Sequence, residues 1–242
     1  MKCYRTPGGT SFPLFASFLQ QPHLLIAGAT GSGKSVAVRG ILQEGTLHGP
    51  GEFSVILIDP KRVELSPFRT LPHCILYASE PGNMLSALAA GMDLTESRYK
   101  RMQREGLRSW AGQQTYIIID ELADLMTTQR KEVSPLLQRL AQIGRAAGVH
   151  VIACTQCPIS AVIPTQIKVN FDARLGLRTR SAQDSRNVLG CRGCETLPRY
   201  GEGLYLLPEG LQHVRIPFIP DAESADRVKY WEKARPRWLP FH

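Results

Sequence analysis

The sequence predicts an α/β fold: a mostly parallel sheet covered by helices on both faces. Three observations predict it. Short apolar runs alternate with helical periodicities along most of the chain, as in a sheet buried on both sides. A glycine-rich stretch, Gly28-Ala29-Thr30-Gly31-Ser32-Gly33-Lys34-Ser35, joins one apolar run to one helical segment. A second apolar run, Tyr116-Ile117-Ile118-Ile119, ends directly in Asp120 and Glu121.

Taken in order, residues 1–21 contain Pro7-Gly8-Gly9 and little periodicity, which predicts a lead-in with one short strand and a turn. Residues 23–27 read as a strand and 36–43 as the helix after the glycine loop. Residues 54–58 form a β-rich run halted at Asp59-Pro60-Lys61. Residues 74–77 are another short strand. From 81 to 105 the pattern turns helical, with Met84, Leu88, Met92 and Tyr99 at helical spacing. Near its end Arg98, Arg101, Arg104 and Arg108 share a face, which reads as solvated; a contact with phosphates or a neighbouring subunit is the alternative. Leu136, Leu140, Ile143 and Ala147 mark an amphipathic helix, with Gly144 and Gly148 near its end as caps. Residues 149–153, 173–177, 204–207 and 214–219 read as strands, and 184–189 and 222–234 as helices. The chain divides into a lead-in (1–21), a nucleotide-binding core (22–220) and a C-terminal helix with a basic tail (221–242).

A length of 242 residues suits one large α/β domain, and 43% hydrophobic content allows a sizeable core. A net charge of +8 and a pI near 9.4 permit a polyanionic partner without requiring one. No apolar run approaches the roughly 18 residues that span a bilayer. Met1-Lys2-Cys3-Tyr4-Arg5 has no signal-like apolar stretch behind it. The expected location is therefore the cytoplasm. Cys154/Cys157 and Cys191/Cys194 form two C-x-x-C pairs, separated by more than a usual zinc site allows, so free thiols in a reducing compartment are expected.

The glycine stretch fits G-x-x-x-x-G-K-[ST] in the right context, after a strand and before a helix. Glycines let the backbone curl and aim successive N–H groups at anionic oxygens, and the helix adds its positive end. Lys34 is expected to reach the β- and γ-phosphates of ATP, and Ser35 to hold Mg²⁺. Asp120 would take the ion or a water bound to it, and Glu121 would polarise the lytic water as general base. Gln156 leaves a strand expected beside that of Asp120, where a neutral amide can sense the γ-phosphate. Arg145 is a candidate arginine supplied across a subunit boundary.

These residues resemble the FtsK/SpoIIIE DNA translocases of the HerA–FtsK branch of P-loop motors. The resemblance runs from Pro22-His23-Leu24-Leu25-Ile26-Ala27-Gly28 through Ile58-Asp59-Pro60-Lys61 and Glu64-Leu65-Ser66. It continues in Arg98-Tyr99-Lys100, in Leu107-Arg108 with Ala111-Gly112, and in Asp120-Glu121-Leu122-Ala123-Asp124-Leu125-Met126, like the extended Walker B block. It closes with Arg139-Leu140-Ala141-Gln142, Arg145-Ala146-Ala147-Gly148-Val149-His150, Thr155-Gln156, Asp184-Ser185-Arg186 and the 201–206 turn and strand. It implies a RecA-like ATPase domain that forms a homo-hexameric ring around double-stranded DNA. It also implies that Arg145 acts in trans and that Gln156 reads the γ-phosphate.

The departures bear on DNA. Cys157 stands where the family has an arginine after Thr-Gln. Of the positions that face DNA in the family ring, only Lys168 stays basic; the third falls at Ala182, with Arg178 and Arg180 close enough to compensate. Fewer phosphate contacts predict a weaker grip with a flatter salt dependence. The loop between Arg108 and Tyr116 is shorter than in the cell-division translocases. No membrane region is expected before the motor, and Arg235-Pro236-Arg237-Trp238 is too short for a polarity-reading domain after it. The leading expectation is an ATP-driven double-stranded DNA translocase. A coupling or packaging ATPase of a mobile element, and a nucleotide-switched binding module with slow hydrolysis, are the alternatives.

Overall fold

The computed structural model describes residues 5–6, 9–10 and 13–234, with side chains from residue 14 onward. The elements in chain order are β1 (Arg5–Thr6), β2 (Gly9–Thr10), α1 (Pro13–Gln20), β3 (His23–Ala27), α2 (Lys34–Gly45), β4 (Phe53–Ile58), β5 (Cys74–Ala78) and α3 (Pro81–Glu105). There follow β6 (Gln114–Ile119), α4 (Leu122–Thr128), α5 (Arg130–Ile143), β7 (Val149–Thr155), α6 (Thr165–Lys168), β8 (Ala173–Leu177), α7 (Ala182–Leu189), β9 (Glu202–Leu207), β10 (Gly210–Arg215) and α8 (Asp221–Ala234).

The frame is an eight-stranded sheet in the order β10-β9-β8-β3-β7-β6-β4-β5. From β8 to β5 every neighbour is parallel; β9 and β10 add an antiparallel edge. β3, β4 and all but the first residue of β6 are buried, which is why they read as continuous apolar runs rather than alternating ones. Alternate residues still face opposite layers. Leu25, Ile117, Ile119 and Val151 pack under α3, α4 and α5, while Leu24, Ile26, Ile118 and Ile152 pack under α1 and α2. The expected α/β architecture, with helices on both faces, is the one observed.

Three readings of the sequence are corrected. The lead-in does hold a small strand pair, β1 with β2, but residues 13–20 are helix. Phe15 and Phe18 of α1 are buried, and their spacing of three is helical. Burying each contributes about 1.5–3 kcal/mol. α2 accepts the contact at Gly40, where a Cβ would stand 2.1 Å from the Phe15 ring. The strand expected at 214–219 is instead β10 at 210–215, paired with β9 across a short turn. The third correction concerns Arg98, which is not on a solvated face. It is buried against Trp110 and donates to the carbonyls of Ala147 and Gly148 and to the Thr115 hydroxyl at 2.8–3.0 Å.

The helix expected at 222–234 is α8, whereas the basic tail beyond it, like the start of the lead-in, lies outside the described residues. No helix among the described residues is long and apolar enough to cross a membrane. Cys154 and Cys194 are buried, Cys191 is half-buried and Cys157 is exposed. Among the described residues no group of three or more His, Cys, Asp or Glu side chains is set to hold a metal ion.

Candidate functional site

The sheet decides which residues meet. β3, β4, β6, β7 and β8 are parallel, so whatever follows each of them emerges at one edge. That edge collects the loop after β3, Asp59 after β4, Asp120 and Glu121 after β6, Gln156 after β7 and Arg178 after β8. The glycine loop is spliced between the neighbours of its own strand. Gly28 N–H donates to the Thr155 carbonyl at 3.2 Å, and Ala29 N–H to the Arg178 carbonyl at 2.8 Å.

Gly33 caps α2 with φ 107°, a left-handed conformation that a side chain would strain. A Cβ there would also lie 3.1 Å from the backbone of Gly201, whose N–H donates to the Ser32 carbonyl at 3.0 Å. Gly31, also at positive φ, and Thr30 form the exposed rim of the loop. Lys34 is 9% exposed and folds back on the loop, donating to the Gly28 carbonyl at 2.6 Å and the Ala29 carbonyl at 3.3 Å. Burial lowers its pKa, and the nearby carboxylates of Glu121 and Asp120 oppose that shift. Lys34, Ser35, Asp120 and Gln156 line one cleft of about 660 Å³.

The two carboxylates after β6 differ in surroundings. Asp120 faces the cleft, and its pKa is raised to about 6, first by burial and then by Asp59 and Glu64. Glu121 is 3% exposed and caps α4, accepting from Ala123 N–H at 3.4 Å. The Thr155 hydroxyl donates to its Oε1 at 3.0 Å, and Gln156 N–H donates to Oε1 at 3.1 Å and Oε2 at 3.3 Å. Lys61 Nζ donates to Oε2 at 3.2 Å. Donors of this kind fix the direction of the carboxylate.

Gln156 meets the loop directly: its Oε1 accepts from the Thr30 hydroxyl at 2.7 Å. Arg145 does not join them. It lies in a 3₁₀ turn, Gly144–Ala147, that precedes β7, whereas Gln156 follows β7. Seven strand residues at roughly 3.3 Å each separate it from its own phosphate loop by about 20 Å. Of the three basic candidates, Lys168 precedes β8, and Arg178 and Arg180 follow it. Lys168 donates to the Asn187 carbonyl at 3.1 Å and Arg178 to the Leu197 carbonyl at 2.7 Å, while Arg180 is exposed.

Sequence reasoning gave no role to Asp59, Lys61, Glu64 or Thr155. Asp59 is fully buried, and its Oδ2 accepts from Leu65 N–H at 3.0 Å and Ser66 N–H at 3.1 Å. It thereby shapes the loop that brings Lys61 and Glu64 to the cleft. The Asp59-Pro60-Lys61 stop after a buried strand was the available signal. Tyr200, Arg215 and Phe218, which also line the cleft, had none.

This arrangement can be set beside known proteins. The FtsK/SpoIIIE family matches over residues 5–117 and 113–161. The DNA translocase FtsK of Agrobacterium fabrum (strain C58) is 35% identical over 271 residues, covering 93% of this chain and 30% of the relative. The DNA translocase FtsK of Listeria monocytogenes serovar 1/2a is 36% identical over 241 residues, covering 90% and 32%. The chain thus spans about a third of the length of these curated relatives. Among solved structures, the pCW3 conjugation coupling protein TcpA in monomer form with ATPγS superposes with a TM-score of 0.78. It is 24% identical, over 90% of this chain and 66% of that one. The cytoplasmic domain of the type VII secretion ATPase EccC of Thermomonospora curvata gives a TM-score of 0.76 at 23% identity, over 91% and 29%. At those identities the likeness is one of fold, the P-loop ATPase core. On the family match, which runs from residue 5 to residue 161, and on the sequence identity to the translocases, the chain belongs to the FtsK/SpoIIIE family.

Proposed function

We propose that this chain is the motor of an ATP-driven double-stranded DNA translocase, acting as a homo-hexameric ring. The observation that carries the reading is the held carboxylate: Glu121 is fixed by Thr155, Gln156 and Lys61, and the last two of these line the cleft with Lys34 and Ser35. A binding-only site has no need of a second, oriented carboxylate beside Asp120.

In this reading ATP enters with its phosphates on the loop, and Lys34 exchanges the Gly28 and Ala29 carbonyls for the β- and γ-phosphates. The Ser35 hydroxyl and the Asp120 carboxylate suit Mg²⁺, a hard cation that takes oxygen ligands. The fit is supported by the carboxylates of Asp59 and Glu64, whose negative charge adds to burial in raising the pKa of Asp120. When bound, Mg²⁺ would neutralise charge on the phosphates. Glu121 accepts a proton from the attacking water, and Gln156 links the γ-phosphate position to β7 through Thr30. Arg145, too far from its own loop, completes the site of the neighbouring subunit. Lys168, Arg178 and Arg180 are the residues that would grip the duplex backbone.

The test is ATP turnover with and without double-stranded DNA at low salt. Turnover is expected to rise with DNA and to fall at least about 100-fold in Lys34→Ala and Glu121→Gln. Glu121→Gln should still bind ATP. Turnover that ignores DNA, or survives in Glu121→Gln, contradicts the proposal.

A further inference from the structure

We propose that Tyr200 and Phe218 form the nucleobase site of the cleft, and that they hold the base by its faces without reading its edges. The proposal rests on the nucleotide reading above and adds its base-binding residues and its selectivity. Among the described residues these are the most exposed large hydrophobic side chains, at 79% and 76%. Neither packs into the hydrophobic clusters on the two sides of the sheet. Both line the cleft that holds Lys34 and Ser35.

Their frame is anchored although the rings are not. Tyr200 takes φ 72°, an unfavourable conformation for an aromatic residue. The next residue, Gly201, donates its N–H to Ser32 of the phosphate loop at 3.0 Å and accepts at its carbonyl from Ile216 N–H at 2.7 Å. On either side of Phe218, Ile216 and Ile219 are 5% and 0% exposed, and the Ile219 carbonyl accepts from Arg39 at 3.3 Å. Buried neighbours and main-chain bonds to the phosphate loop thus hold two aromatic rings at the cleft. A nucleobase is the part of a nucleotide that such rings bind, through its π-faces.

Edge recognition needs free donors and acceptors, and this end of the cleft supplies few. The Gly201 N–H and carbonyl are bonded within the protein, and Pro217 has no N–H. Ile216 and Phe218 there are apolar, and Arg215 Nε lies 3.6 Å from the Glu202 carboxylate. Stacking accepts any base, so adenine and guanine should be held about equally.

The test titrates ATPγS, GTPγS and inorganic tripolyphosphate, each with Mg²⁺, against the full chain and its variants. Tyr200→Ala and Phe218→Ala are each expected to weaken both nucleotides by about 5- to 100-fold and to leave tripolyphosphate within about twofold. Tyr200→Phe and Phe218→Tyr should retain parental affinity. The parent should bind ATPγS and GTPγS within about tenfold of each other. The inference is overturned if either alanine variant binds ATPγS as the parent does, or loses tripolyphosphate equally. A preference for ATPγS of more than about 100-fold would overturn the face-only part. Lys34→Ala separates the two levels: if it binds ATPγS unchanged, the phosphate-loop reading itself fails, whatever the aromatic variants do.

Discussion

A carboxylate that is to take a proton from water must stay charged and stay in place. Thr155, Gln156, Lys61 and Ala123 hold Glu121 in place, and the Thr155 hydroxyl is a side-chain donor that one substitution removes. Thr155→Val keeps the shape and deletes the donor to Glu121, together with the acceptor of Cys157 N–H. It should lower the ATP turnover rate roughly tenfold, the equivalent of about 1.4 kcal/mol, with nucleotide affinity unchanged. Steady-state kinetics beside a binding titration would separate the two. At the other end of the strands His23 works through neutrality. Its Nδ1 accepts from Val151 N–H at 3.0 Å, and it is 3% exposed. Burial, then His150 and Arg145, lower its pKa from 6.5 to about 3. Below pH 6.5 the unfolded chain takes up a proton that the folded chain refuses until about pH 3. Stability from this group is therefore full above 6.5 and falls as the pH drops, by about 1.4 kcal/mol per unit. His23→Gln keeps an acceptor and removes the titration. Urea unfolding at pH 7 and pH 4.5 should show a loss smaller by about 2–3 kcal/mol in the variant. Equal losses would show that His23 does not set the acid sensitivity.

At the scale of elements, the turn that carries Arg145 is fixed from below. Gly144 sits where a Cβ would be 2.4 Å from the Val149 carbonyl, and the Ala146 carbonyl accepts from Trp110 N–H at 2.8 Å. Arg98 of α3 supplies the rest, its guanidinium bonded to the Ala147 carbonyl of the turn and the Gly148 carbonyl after it. Among the described residues no carboxylate pairs with it; the carbonyls of a helical end take that part. Burial lowers its pKa to about 10, so it remains charged at neutral pH. Arg98→Met should cost about 2–4 kcal/mol in urea unfolding, because it takes a buried charged donor away from the Ala147 and Gly148 carbonyls and the Thr115 hydroxyl. It should also cut DNA-stimulated ATP turnover, since the Arg145 turn loses its support. A variant as stable as the parent would mean that water replaces the guanidinium at no cost.

The whole molecule separates its candidate site residues onto opposite edges of one sheet. Phosphate loop and carboxylates stand at the ends of β3 and β6, and Arg145 stands before β7. A subunit built this way is incomplete alone if Arg145 is catalytic. Mixing tests it. Arg145→Ala and Lys34→Ala should each lack turnover, and a mixture should recover a measurable fraction. An Arg145→Ala subunit still offers a sound phosphate loop, and a Lys34→Ala neighbour still offers the arginine. Turnover in Arg145→Ala alone at the parental rate, or none in the mixture, would contradict action in trans.

Much of this was written locally. The order of strand, glycine loop and helix, and a buried strand ending in two acids, are properties of contiguous residues, so the sequence alone determined the α/β class and the ATP-site candidates. α1 escaped notice because two turns of helix carry too little periodicity, and β10 because its residues are mostly exposed. Only the tertiary structure decided what lies beyond a residue's own neighbourhood. It turned Arg98 from a surface charge into an internal brace, joined Lys61 to Glu121, and brought Tyr200 and Phe218 to the phosphate loop. It also set Arg145 at the far edge. The physical reason is that hydrogen bonding and burial depend on distance in space. The strand order that sets those distances, with β7 between β3 and β6, comes from packing the whole sheet at once.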